Sequence, residues 1–345
     1  MSSPLKTILL RSIYDELNSD AAMFRSRPDF GSDLEYYLVR LRDIAKSRGF
    51  EVTADQTRLD TADAVVFLDH PDDHRVITAV KRRGARTFLI HRECIVIRPK
   101  NWSRAVVGAY DHIFTFNIKY LRTMMRSNEF SQVFFARNLR LHHNFWNADR
   151  STQLCLIASN KVLVHPKSTY EYRDNLVKYF DAHNEIEVYG PGWNTRLFHL
   201  RRPFSAINRI ASALHLNGRR LRSYRGITDD KLMTFSKYNF ALCIENTKDF
   251  SGYITEKIFD ALRAGAIPIY LGPNDITEYV PFDIFVDLRQ FSDLAELSAY
   301  VKSRPADELA DTRRRIAEFL QGPAQHIFGP EAFAQTLLEE VGKHV

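Results

Sequence analysis

Apolar residues come in short blocks along this chain, separated by stretches with helical spacing. The blocks KTILL (6–10), ADAVVFLD (62–69), RTFLIHRE (86–93) and HIFTFN (112–117) are continuous rather than alternating. Strands that read this way are buried on both faces, as in parallel sheets. Between them, SDLEYYLVRLRDIAKSRG (32–49) repeats apolar residues at helical spacing, with Ser32 as N-cap and Gly49 as stop. RVITAVKRRG (75–84) predicts a second helix closed by Gly84. Alternating strands and helices predict a parallel sheet covered by helices.

The pattern weakens from Ile118 to Ser151 and then restarts. LCLIASN (154–160), IEVYG (186–190), NFALCIEN (239–246) and AIPIYLG (266–272) read as strands. STYEYRDNLVKYFDAH (168–183), DKLMTFSKY (230–238) and TEKIFDALRAG (255–265) read as helices, and 294–345 is mostly helical by periodicity. The expected fold class is therefore α/β, with two Rossmann-like domains facing across a cleft. Residues 1–150 form an N-terminal domain, 151–300 a second domain, and 301–345 a helical tail. Ligands of such sheets sit at the carboxyl ends of the strands, which makes the cleft the expected site.

A length of 345 residues agrees with two cores, and 45% hydrophobic with 26% charged residues is a globular composition. The net charge of +6 suits a polyanionic ligand, a nucleotide or an acidic membrane surface. No basic motif of a nucleic-acid module is present, so nucleic acid is not an expected partner. Cys94, Cys155 and Cys243 lie far apart in apolar runs and read as buried free thiols of a reducing compartment. No Cys-x-x-Cys or His-Glu-x-x-His spacing occurs, so no metal is expected. The first apolar run has four residues, too few for a signal peptide or a membrane span. A cytoplasmic location is expected, with peripheral contact at the inner face of a membrane left open.

Candidate chemistry concentrates in CIENTKDFSGYITEKIFDALRAGAIPIYLGP (243–273). Glu245 and Asn246 end a strand. A helix then begins at Thr255, a good N-cap, with Glu256 and Lys257 in its first turn, Ile258, Ala261 and Leu262 facing inward, and Gly265 as its stop. Asn246, Tyr253, Thr255, Glu256 and Lys257 thereby converge at a helix N-terminus, where anions are favoured. A first-turn lysine opposes the helix dipole and is explained if it faces a phosphate. On spacing alone, Glu256 complementing the dipole beside a solvated Lys257 is an equal reading.

The stretch from Tyr224 to Phe291 resembles the signature region of the family 10 glycosyltransferases, the α-1,3/4-fucosyltransferases, in their bacterial form. It carries Glu-Asn, then Tyr-Ile-Thr-Glu-Lys, an apolar helix and a Pro-Ile-Tyr-Leu-Gly strand. LCLIASN and IEVYGPGW resemble the start of that family's donor domain. The resemblance implies a GT-B fold and inverting transfer of fucose from GDP-fucose to a glycan hydroxyl, with no metal and no further cofactor. It implies that the domain 1–150 is the acceptor side and the domain 151–300 the donor side. It implies that Lys257 contacts the donor diphosphate and Glu256 the donor sugar hydroxyls. Asn246 and Tyr253 line the same pocket, beside Thr255. Arg173, in TYEYRDNLVKYF, matches an arginine that contacts the diphosphate. The loop between Asn246 and Tyr253 holds six residues, one more than in shorter bacterial members.

An inverting displacement needs a carboxylate to take the acceptor proton. Glu93, at the end of TFLIHRE, is the candidate catalytic base on the domain opposite the donor, with His91 and Glu245 as fallbacks. The segment 188–228 has no acidic residue and holds Arg196, Arg201, Arg202, Arg209, Arg219, Arg220, Arg222 and Arg225. It reads either as a solvated basic loop or as a surface that docks on anionic lipid or a lipid-linked acceptor. Two rivals remain open: a GT-B transferase using another nucleotide sugar, and a non-catalytic nucleotide- or glycan-binding protein.

Overall fold

The computed structural model describes residues 4–25, 36–125, 130–194 except 136, 142 and 147, then 207, 210 and 221–345. Most of the basic segment, including Arg196, Arg201, Arg202, Arg209, Arg219 and Arg220, lies outside the described residues, as does the expected N-cap Ser32.

Six strands build the first sheet: β1 (Lys6–Ser12), β2 (Phe50–Thr53), β3 (Ala64–Leu68), β4 (Arg86–Ile90), β5 (His112–Thr115) and β6 (Phe130–Gln132). Their order is β2-β1-β3-β4-β5-β6, and every pairing is parallel. Six more build the second: β7 (Ser151–Ile157), β8 (Ile186–Tyr189), β9 (Tyr224–Gly226), β10 (Tyr238–Ile244), β11 (Ile267–Leu271) and β12 (Val286–Asp287). Their order is β12-β11-β10-β7-β8-β9, again all parallel. The second order reverses between β7 and β10, which opens a crevice at their carboxyl ends. The continuous apolar runs are buried as their pattern demands: every residue of β3 and β11 is inaccessible or nearly so. Cys94, Cys155 and Cys243 are free and buried.

Helices α1 (Tyr36–Ala45) and α2 (Arg75–Arg82) cover the first sheet; α3 (Tyr170–Ala182) and α4 (Glu256–Arg263) cover the second. Gly49, Gly84 and Gly265 follow helical segments with φ of +85°, +85° and +73°, the left-handed stop that only glycine adopts cheaply.

The C-terminal helices do not form a separate appendage. Leu294–Ser303, Ala306–Gln321 and Pro323–Phe328 join the second core through Leu297, Phe319, Leu320 and Phe328. The last helix, α5 (Pro330–His344), returns to the first domain and buries Phe333, Leu337 and Val341 against α1. The Phe333 and Tyr37 rings meet edge to face at 4.8 Å.

The two domains also meet through the loop between Asn246 and Tyr253. Phe250 and Tyr253 are buried in the first domain's core among Trp102, Phe116 and Tyr120. A Cβ at Gly252 (φ +71°) would lie 2.3 Å from the Phe116 carbonyl oxygen, so this contact requires glycine. The six-residue loop is thus a plug seated in the opposite domain.

Candidate functional site

A cavity of about 550 Å³ opens at the β7/β10 crevice. Leu156–Ser159 at the end of β7, Gly190 and Pro191 after β8, Asn246 after β10, and one face of α4 line it. Gly190 has φ +119°, and a Cβ there would stand 2.4 Å from the Ala158 carbonyl oxygen. The strand-end loops therefore approach backbone to backbone and keep the crevice open.

Glu245 organises the start of α4. It is wholly buried, and its carboxylate accepts from the Thr255 N–H (2.8 Å), the Thr255 hydroxyl (2.7 Å), Lys257 Nζ (3.0 Å) and the Tyr270 hydroxyl (3.3 Å). The Thr255 side chain is spent on Glu245 and does not cap α4, contrary to the simple N-cap expectation. Burial pushes the Glu245 carboxyl up, and Lys257 pulls it back. Lys257 also lies 3.6 Å from Glu256. Burial opposes its charge, yet Glu245 and Glu256 raise its pKa, so it is an ordered ammonium rather than a solvated one. Glu256 is half-buried, and Lys257, Arg137 and Lys231 outweigh its desolvation and hold it well below the usual carboxylate range.

Arg173, near the start of α3, is 4% exposed and donates to the Ser159 carbonyl at 2.9 Å. Its guanidinium lies 4.8 Å over the Tyr170 ring, and its Nε has no partner. Asn246 donates to the Tyr253 hydroxyl at 3.2 Å. Arg173, Asn246, Glu256 and Lys257 all line the cavity. Tyr253 and Thr255 do not: Tyr253 belongs to the interdomain plug and reaches the cavity only by holding Asn246, and Thr255 lies beneath, on Glu245.

Across the interface, Glu93 follows β4. Its carbonyl accepts from the Trp102 indole at 3.0 Å. Burial, then the Asp69 charge, push its carboxyl up to about 7, while Lys257 draws it back and Glu256 pushes it further. Glu93 itself is not among the residues that line the cavity. His91, the first fallback, is buried with both ring nitrogens in contacts: Thr115 Oγ1 at 3.2 Å and the Asn101 carbonyl at 3.1 Å. Burial lowers its pKa to about 3, which makes it a structural residue. Glu245, the second fallback, is sealed beneath the helix start.

Several residues in or beside the cavity escape sequence reasoning. Asp260 lies four residues beyond Glu256 on the same face of α4, and Lys231 Nζ stands 3.7 Å from it. The i, i+4 carboxylates of TEKIFD were a usable signal. Lys161 also lines the cavity. Arg137 is 5% exposed, reaches Glu256 at 3.5 Å and leaves Nε and Nη1 without partners. It lies in a stretch without periodicity, and nothing in the sequence marks it.

Residues 147–312 match the family model described as glycosyltransferase family 10 (fucosyltransferase), C-terminal domain. The C-terminal domain belongs to glycosyltransferase family 10. Among relatives of this family 10 domain, an alpha-(1,4)-fucosyltransferase of Arabidopsis thaliana is 43% identical over 75 residues, 22% of this chain and 18% of that protein. The human 4-galactosyl-N-acetylglucosaminide 3-alpha-L-fucosyltransferase 9 is 35% identical over 94 residues, 26% of this chain and 25% of its own length. The match thus spans a quarter or less of these curated relatives.

The fold likeness extends over the whole chain. A crystal structure of an alpha1,3-fucosyltransferase with GDP aligns at a TM-score of 0.52 and 15% identity, covering 96% of this chain and 94% of that one. Anabaena HepE in complex with UDP-glucose aligns at 0.56 and 10% identity, covering 98% of this chain and 100% of that one. The family 10 domain is therefore one half of a GT-B fold, whose other half carries Glu93.

Proposed function

We propose that the protein transfers fucose from GDP-fucose to a hydroxyl of a glycan acceptor, with inversion. The observation that carries this reading is the convergence of Arg173, Asn246, Glu256 and Lys257 on one cavity at the start of α4. Arg173 and Lys257 take the donor diphosphate, with Lys161 and Lys231 as further cations lining the cavity. Their charge supports departure of the diphosphate without a metal. Glu256 and Asp260 offer acceptors to donor hydroxyls. Glu93 removes the acceptor proton as its oxygen attacks the sugar carbon and the bond to the diphosphate breaks.

The fucosyltransferase names of the relatives support fucose as the sugar. HepE, which carries UDP-glucose, shares the fold, so a diphosphate cradle alone does not fix the donor. The test is calorimetry with GDP, GDP-fucose and UDP-glucose, followed by transfer to a 4-galactosyl-N-acetylglucosaminide. Binding of GDP-fucose with formation of fucosylated product supports the reading; preference for UDP-glucose overturns it. Binding without turnover on any glycan would favour a non-catalytic role.

Among the described residues no helix is long and apolar enough to cross a membrane. Action at the inner face of a membrane, on a lipid-linked acceptor docked through the basic segment, remains part of this proposal. Pelleting with anionic vesicles at low salt tests it, and a protein that stays in the supernatant removes it.

A further inference from the structure

Asp69 follows β3 at a place where a strand normally turns away. It is 2% exposed and holds φ +66°, a left-handed conformation uncommon outside glycine. Its Oδ1 accepts from the N–H groups of Arg92 (2.8 Å) and Glu93 (3.1 Å) and from Asn101 Nδ2 (2.6 Å). Its own N–H donates to the Ile90 carbonyl at 2.9 Å. Asn101, also fully buried, receives the His70 N–H at 3.0 Å and offers its carbonyl to His91. One carboxylate oxygen therefore gathers the second and third residues after β4 and ties them to the segment holding Trp102. Trp102 holds the other side of the same residue, at the Glu93 carbonyl.

A buried carboxylate is costly in a turn that a neutral side chain could close. Backbone strain of this kind gathers at sites where geometry is used.

We propose that Asp69 is a positioning residue for Glu93: its buried carboxylate folds the end of β4 into the turn that aims the Glu93 side chain at the donor helix. The inference rests on the reading of Glu93 as the base. Asp69 also adds negative charge beside Glu93. The other groups that act on Glu93 or respond to it come from several elements: Arg92 on the same turn, Lys257 and Glu256 on the donor helix, and Tyr14, Cys94, Tyr170 and Tyr253 around it. A single substitution at Asp69 leaves all of these in place.

The first variant is Asp69→Asn. It keeps an accepting oxygen, tolerates the left-handed conformation and deletes the charge. Carbon-13 glutamate NMR of the full chain, with the Glu93 signal assigned through Glu93→Gln, reads the Glu93 midpoint without any acceptor. In Asp69→Asn that midpoint is expected to fall by roughly half a unit or more, since a like charge has been removed. An unchanged midpoint overturns the placing of the Asp69 charge beside Glu93, and the positioning itself is decided by the variant that loses the bonds. Asp69→Ala loses the three accepted bonds as well. It should lower transfer to a 4-galactosyl-N-acetylglucosaminide by about 10²-fold, the order expected of a misplaced catalytic group, with GDP affinity unchanged. Parental transfer in a folded Asp69→Ala overturns the proposal. If Glu93→Gln keeps parental transfer, the reading of Glu93 as the base fails, and the NMR midpoint still decides the link between Asp69 and Glu93.

Discussion

Lys257 Nζ sits 3.0 Å from a carboxylate oxygen of Glu245, a residue with no exposed surface. The ammonium is therefore held in place before any ligand arrives, and its position is fixed from below by the strand end rather than by the ligand. Lys257→Ala should weaken GDP binding by about 1.5–3 kcal/mol, the usual worth of a hydrogen bond to a charged group. It should also lower the melting temperature, because Glu245 then keeps a buried charge without its cation. Calorimetry with GDP and a thermal melt separate the two effects. A variant that melts early but binds GDP like the parent would place the diphosphate elsewhere.

The pH dependence follows from Glu93. Its carboxyl lies at about 7, raised chiefly by burial. A general base acts when deprotonated, so kcat/KM should rise with pH through about 7 and level off above it. His91, lowered to about 3, would leave the neutral range flat. Glu93→Gln should abolish the acid limb, lower transfer by about 10²–10⁴-fold and leave GDP affinity intact. A neutral limb that survives in Glu93→Gln assigns the base to another group.

Periodicity made the two sheets legible because parallel strands buried on both faces are continuous apolar runs, as in β3 and β11. The donor helix start was legible because its residues are adjacent in sequence, from Asn246 to Lys257. What stayed hidden depends on contacts between distant segments. The last helix, α5, has an ordinary helical period, and only the complementary face of α1 shows that it crosses back to the first domain. Phe250 reads as a loop residue, yet it fills a space lined by Trp102, Phe116 and Tyr120. Tyr253 and Thr255 carry motif positions but work beneath the cavity, one on Asn246 and one on Glu245. Arg137 has no local pattern at all; its role comes from lying beside Glu256.

Gly190 supplies a test of the crevice independent of charge. With φ +119° and the Ala158 carbonyl 2.4 Å from any added Cβ, Gly190→Ala cannot be absorbed by a flexible side chain. The β7 and β8 loops must separate. A loss of roughly 1–3 kcal/mol in stability is expected from the strained backbone, with a parallel loss of GDP affinity because both loops line the cavity. Denaturant unfolding and calorimetry on the same preparation check this. Parental values in both would show that the loops yield freely and that their close approach is incidental.

The plug formed by Phe250 links the two halves of the proposed reaction. Its ring meets Trp102 edge to face at 4.8 Å, and the Trp102 indole holds the Glu93 carbonyl. Phe250 itself lies four residues after Asn246, on the loop that leads to the donor helix. Phe250→Ala removes a buried aromatic, a change that costs about 3–5 kcal/mol in a core. Its functional signature should be uneven. In the proposed reading GDP is held by Arg173 and Lys257 rather than by the plug, so GDP affinity should remain within a few-fold of the parent in any sample that is still folded. Transfer should fall much further, because Trp102 loses its neighbour and Glu93 its fixed carbonyl. Phe250→Leu refills most of the volume and should restore part of the rate. The measurement is a pair for each variant, GDP affinity by calorimetry and kcat for transfer. Equal losses in both would mean that the plug supports the donor cavity alone and does not carry the base into register.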